Sequence, residues 1–120
     1  EFPAFYSRKS GLGVPIRMDD PGAIAGSFRV QQALGLDQGM VVANPIPAAD
    51  EIPAHVIERH IDTAIALMHE REIRGKEVTP FLLSKIVELT DGAALEANVS
   101  LFNNNLSLAA DIAKALTKES

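Results

Sequence analysis

The stretch from residue 53 to 73 places the tightest limit on what this chain can fold into. Ile57, Ile61, Ala64, Ile65 and Met68 recur at i, i+4, i+7, i+8 and i+11, which is one face of an α-helix. Such a face has to be covered by another packed layer. Helix punctuation recurs on either side. Asp19-Asp20-Pro21 predicts a helix start, with a carboxylate at the cap and proline at the first helical position. That helix should run to about Leu34 with Ile24, Phe28 and Gln31 on one side, and Gly35 should stop it. Thr79-Pro80 predicts the cap of a further helix that carries Leu82, Ile86 and Leu89 and closes at Asp91-Gly92. A last helix, about 93–117, repeats Leu95, Val99, Phe102, Leu106, Ala109 and Ala113.

Strand signals are few. Met40-Val41-Val42-Ala43 is a short continuous apolar run, read as a buried strand. Asn44-Pro45-Ile46-Pro47 ends it, because neither proline can donate to a ladder. Residues 1–18 read as extended chain and loop; Gly11-Leu12-Gly13-Val14-Pro15 excludes a helix, and Ile16 is a candidate for a second short strand. One or two strands do not make a stable sheet alone. The expectation is therefore an α/β architecture, a helix-rich part whose strands complete a sheet supplied by another half of the same domain. No repeat or low-complexity tract interrupts it.

Composition narrows the function classes. With 47% hydrophobic residues the chain can bury a core, and with 5% aromatics and no Trp that core is aliphatic. A formal charge of −5 argues against nonspecific nucleic-acid binding, which needs clustered cations to replace phosphate counterions. A nucleotide-sized ligand, needing only a few local cations, stays open. The absence of cysteine excludes disulfides, thiolate metal sites and cysteine nucleophiles, and fits a reducing cytoplasm. No window approaches a membrane span of about 18 apolar residues. The start at Glu1, without Met, is expected of a piece of a longer chain.

Several residues are candidates for chemistry. His55 and His60 are five apart, about 140° round a helix, and His60 and His69 are nine apart, on opposite faces; neither spacing makes a metal pair, and the three read as solvent-facing residues. Gly11-Leu12-Gly13 lacks the third glycine and the following helix of a dinucleotide loop. Arg8 and Lys9 beside it are the densest basic pair and read as surface charge, with an anion as the alternative. Lys76, Glu77 and Thr79 lie at a helix entry; capping explains them, and contact with a ligand or a subunit boundary is the functional alternative. Asn98 is the strongest candidate. An amide beside Leu95, Val99, Leu101 and Phe102 is costly unless paired, and its partner is either backbone or the polar edge of a ligand. Among Asn103, Asn104 and Asn105, the last is two turns on and best shares its face. Asn44, closing the strand, is either a turn former or a ligand residue at a strand's carboxyl end.

Four words occur in order: Glu1-Phe2-Pro3-Ala4-Phe5-Tyr6, Val41-Val42-Ala43-Asn44-Pro45-Ile46-Pro47, Gly75-Lys76-Glu77-Val78-Thr79-Pro80-Phe81-Leu82-Leu83 and Leu95-Glu96-Ala97-Asn98. Together they resemble the C-terminal part of the pseudouridine-5'-phosphate glycosidases, from residue 1 to about 116. The resemblance implies a C-terminal segment, residues 1–120, of one domain in an enzyme more than twice as long. It implies a three-layer α/β/α fold, a homotrimer, and reversible cleavage of pseudouridine 5'-phosphate to uracil and ribose 5-phosphate. A C-glycoside has no heteroatom leaving group, and such enzymes open the ribose and form an imine with a lysine, assisted by an acidic residue and manganese. The lysine, the glutamate acid and the metal-binding aspartate are expected upstream of Phe2, so the resemblance assigns no catalytic or metal residue here. Asn98 matches the pocket asparagine of the Leu-Glu-Ala-Asn word. Phe102-Asn103 departs from the usual aliphatic residue followed by a basic or polar one, which leaves Asn98 in register. Apart from the resemblance, the same helices would suit an interaction or regulatory segment without catalysis; a different sugar-phosphate lyase on this fold is a third option.

Overall fold

The structure is a computed structural model that describes residues 1–117. Its helices are α1 (Pro21–Ala33), α2 (Ala54–Glu70), α3 (Val78–Leu89) and α4 (Ala93–Thr117), with a 3-10 turn at Gly75–Glu77 before α3. The Asp20 carboxylate accepts the Ala23 N–H at 2.9 Å, which caps α1 where the sequence predicts. Gly35, at φ +70°, ends it, and the N–H groups of Gly35 and Leu36 return to the carbonyls of Gln32 and Gln31. The stripe of α2 faces inward: Ile57 and Ala64 are buried, and Ile61, Ile65 and Met68 are half-buried. His55 and His69 are exposed on α2, while His60 is half-buried rather than solvent-facing.

The entry to α3 differs from expectation. The 3-10 turn delivers a backbone that is already helical, so Glu77 occupies the cap position without a side-chain capping bond. Thr79 therefore sits inside the first turn and is not the cap. Pro80 follows it there, where a missing N–H costs nothing. Thr90 joins α3 to α4: its hydroxyl donates to the Ile86 carbonyl at 2.8 Å and accepts the Ala94 N–H at 3.1 Å. Asp91 and Gly92 turn the chain with positive φ, as the Asp-Gly pair predicts.

Among the described residues there is no strand, only an isolated bridge between Ala4 and Ser7. Residues 40–43 pair with nothing, and Val41 is 86% exposed. Ile16 is likewise exposed. A ladder needs a second strand in reach, and the described residues offer none to that run.

Tyr6, Ile46, Ile57, Ala64, Ile86, Ala94, Ala97 and Leu101 form the core. The N-terminal segment reaches it through long-range bonds: Ile52 N–H to Tyr6 carbonyl at 2.9 Å, Ser7 hydroxyl to Ile52 carbonyl at 2.6 Å, and Arg8 N–H to the Glu51 carboxylate at 2.9 Å. The Arg8 guanidinium donates to the Ile46 carbonyl, so this cation is spent on holding the 44–52 loop. Helix α2 packs on α3, and α1 packs on α4. A radius of gyration of 17.6 Å exceeds the roughly 14 Å of a compact chain this long, so the elements form an open layer.

Candidate functional site

Helix α4 is apolar on two adjacent sides. Ala94, Ala97 and Leu101 are buried in the chain, and Asn104, Leu108, Ile112 and Ala115 continue that side half-buried. Leu95, Val99, Phe102 and Leu106, the stripe the sequence brings forward, are instead 51–60% exposed. Glu96, Ser100, Ser107, Asp111 and Lys114 hold the third, polar side.

Asn98 lies on the seam between the two apolar sides. It is half-buried and makes no side-chain hydrogen bond among the described residues, so its amide and carbonyl are both available. Asn105, seven residues on, falls within about 20° of it around the helix. The structure brings Asn44 to the same seam: its Nδ2 donates to Asn105 Oδ1 at 3.1 Å. Next to it, Asn104 Nδ2 donates to the Pro45 carbonyl at 2.9 Å. Ser100 donates to the Asp50 carboxylate at 2.6 Å, tying the far end of the same loop to α4. Sequence reasoning missed these three ties; the run of three asparagines at 103–105 was the available signal.

The other candidates are elsewhere. Lys76, Glu77 and Thr79 are exposed, and no hydrogen bond or ion pair joins them to Asn98. Lys9 and Arg17 line an open groove of about 660 Å³ with Met18, Ile24, Met40 and Val42. Arg17 there is paired with Asp19 at 2.9 Å. Burial pushes the Tyr6 phenol above its ordinary range, and the Lys85 hydrogen bond and charge hold the Glu88 carboxyl below its own; neither group bonds to the asparagine cluster. No three histidine, aspartate or glutamate side chains among the described residues gather as a metal site.

The model of the family described as indigoidine synthase A like protein matches residues 1–115. The chain belongs to the indigoidine synthase A-like family. It is 53% identical over 115 residues to the pseudouridine-5'-phosphate glycosidase of Methylobacterium nodulans, covering 96% of this chain and 34% of that protein. It is 50% identical to pseudouridine-5'-phosphate glycosidase 1 of Rhizobium johnstonii, covering 97% and 37%. The resemblance carried by the four sequence words thus extends over the whole chain. The crystal structure of an indigoidine synthase A-like protein from Thermotoga maritima superimposes with a TM-score of 0.85 at 42% identity, covering 98% of this chain and 38% of that one. The fold is shared further with a prealnumycin C-glycosynthase solved with ribulose 5-phosphate, at a TM-score of 0.79, 21% identity, and coverage of 96% and 39%. The chain therefore spans about a third of the length of the curated family members it matches.

Proposed function

We propose that the polypeptide carrying this segment is a pseudouridine-5'-phosphate glycosidase, and that residues 1–120 are the C-terminal segment of its single domain. Identity of 53% to a relative of that name carries the reading. The reaction adds water across the bond between uracil C5 and ribose C1', releasing uracil and ribose 5-phosphate, with a lysine imine as the electron sink. That lysine and its acidic partner belong to the part of the enzyme outside this chain. The described residues offer no donor set for manganese, and the metal too is assigned to that part.

This segment's contribution is binding and shape. Asn98 presents one donor and one acceptor on a seam flanked by apolar surface, which suits the polar edge of an uncharged base or sugar. The exposed side of α4 supplies the apolar surface on which the remainder of the domain packs, with residues 40–43 adding an edge to its sheet. A cytoplasmic homotrimer completes the proposal. No helix among the described residues is long and apolar enough to cross a membrane.

The test is uracil release from pseudouridine 5'-phosphate by the full-length polypeptide with manganese. We expect turnover together with equimolar ribose 5-phosphate. A purified, folded, metal-loaded polypeptide without it would sink the assignment.

A further inference from the structure

Two carboxamides on α4 reach across to the end of the unpaired apolar run. Asn105 accepts from Asn44, and Asn104 donates to the carbonyl of the next residue, Pro45. The two bonds run in opposite directions between adjacent residues on each side, and they bridge about sixty residues of sequence. Ile46, directly after them, is 1% exposed and anchored in the core. The bonds thus fix where the carboxyl end of residues 40–43 meets α4. They do so two turns, about 10 Å, along the seam from Asn98.

We infer that Asn44, Asn104 and Asn105 form a clasp that sets the carboxyl end of residues 40–43 in register with Asn98, making Asn105 a positioning residue for the substrate. The inference rests on the glycosidase reading of this site, in which residues 40–43 add an edge to the sheet. Ligands of open α/β sheets lie outside the carboxyl ends of strands, so that end held against α4 and a free amide on the same seam would bound one pocket. The Asn44–Asn105 bond is exposed and the Asn104–Pro45 bond half-buried, and two such bonds contribute little to stability by themselves. Their consequence is alignment, for which a displacement of about 1 Å is enough to cost a hundredfold.

The chemistry of the clasp gives an asymmetric test in the full-length polypeptide. Asn44 is the donor and Asn105 the acceptor. Asn105→Asp keeps the accepting oxygen and should retain the wild-type KM. Asn44→Asp removes the donor and should lower kcat/KM about ten- to a hundredfold, mainly through KM, as should Asn105→Ala. Amide hydrogen exchange over residues 41–46 should quicken in Asn44→Asp and Asn105→Ala but not in Asn105→Asp. Equal damage from both aspartate variants would mean that charge or direct ligand contact matters, and would overturn the clasp. Wild-type kinetics in Asn44→Asp, or a fall in melting temperature with KM unchanged, would overturn it as well. A wild-type polypeptide without glycosidase activity would fail the underlying reading instead, while the exchange pattern would still report whether the clasp exists.

Discussion

The two apolar sides of α4 are built from different residues. The side buried here uses Ala94, Ala97 and Leu101, small enough near the turn for α3 and the N-terminal segment to come close. The side left open uses Leu95, Val99, Phe102 and Leu106, with Phe102 60% exposed. A monomer seldom presents a continuous run of large apolar side chains along about three turns. The difference teaches that α4 is covered on one side by its own segment and left open on the other, the side that the proposed reading assigns to a second layer. The candidate site lies on the line where those layers would meet.

The largest effect separates the layers altogether. The 120-residue chain by itself should release no uracil from pseudouridine 5'-phosphate, because the positions that make and break bonds in the family are expected elsewhere. Removing members of a catalytic unit costs orders of magnitude in rate. Addition of the N-terminal part should restore turnover. Uracil release by the purified chain alone would break the comparison outright.

Next comes the open side itself. In the full-length polypeptide, Phe102→Ala should cost about 3–5 kcal/mol in denaturant unfolding, as expected of a buried phenylalanine. In the chain alone, where Phe102 faces solvent, the same change should reduce aggregation in sedimentation. Leu101→Ala, on the buried side, should destabilise in both contexts by about 2–5 kcal/mol. If Phe102→Ala costs the full-length polypeptide less than about 0.5 kcal/mol, its side of α4 is a solvent surface and not an inter-layer one.

How much of this was legible in the sequence depended on whether a signal was local. Asp20 before Pro21, Gly35 and the Asp91-Gly92 pair act within a few residues, and each ends or starts a helix where it should. The α2 stripe was legible because that helix is apolar on one side only. In α4 the periodicity of Leu95, Val99, Phe102 and Leu106 was real, but it named the side left exposed; the alanines at 94 and 97 give a weaker hydrophobic signal for the side already packed. Thr79 was misplaced because a 3-10 turn leaves no extended cap residue to recognise. The run at 40–43, read as a strand, pairs with nothing among the described residues. Asn98 was legible as a polar residue beside apolar ones. Asn105 was legible as its neighbour two turns on; the bonds that tie Asn44 and Pro45 to α4 were not, since they join residues about sixty apart.

A smaller effect tests the seam. Asn98→Ala in the full-length polypeptide should lower kcat/KM about ten- to a hundredfold, the equivalent of about 1–3 kcal/mol for a lost partner in a buried site. Because the side chain makes no hydrogen bond among the described residues, the melting temperature should hardly move. Unchanged kinetics beside a large loss of stability would mean that Asn98 serves the packing of the two layers and not the ligand.

The smallest effect belongs to the far end of the layer, where α1 lies on α4. Arg29 of α1 donates to the carbonyls of Ala115 and Leu116 at 2.6 and 3.1 Å, covering the unpaired end of α4. The start of α1 depends on one side-chain bond, from the Ala23 N–H to the Asp20 carboxylate. Asp20→Ala should cost about 1 kcal/mol, within the usual range for a cap, and Asp20→Asn should restore most of it. The loss should appear in the chain alone and in the full-length polypeptide alike, because both partners of the bond lie in this segment. Thermal unfolding of the two forms reads this directly. A loss confined to the full-length polypeptide would show that Asp20 holds the second layer, and would move the boundary between the layers from the open side of α4 to the start of α1.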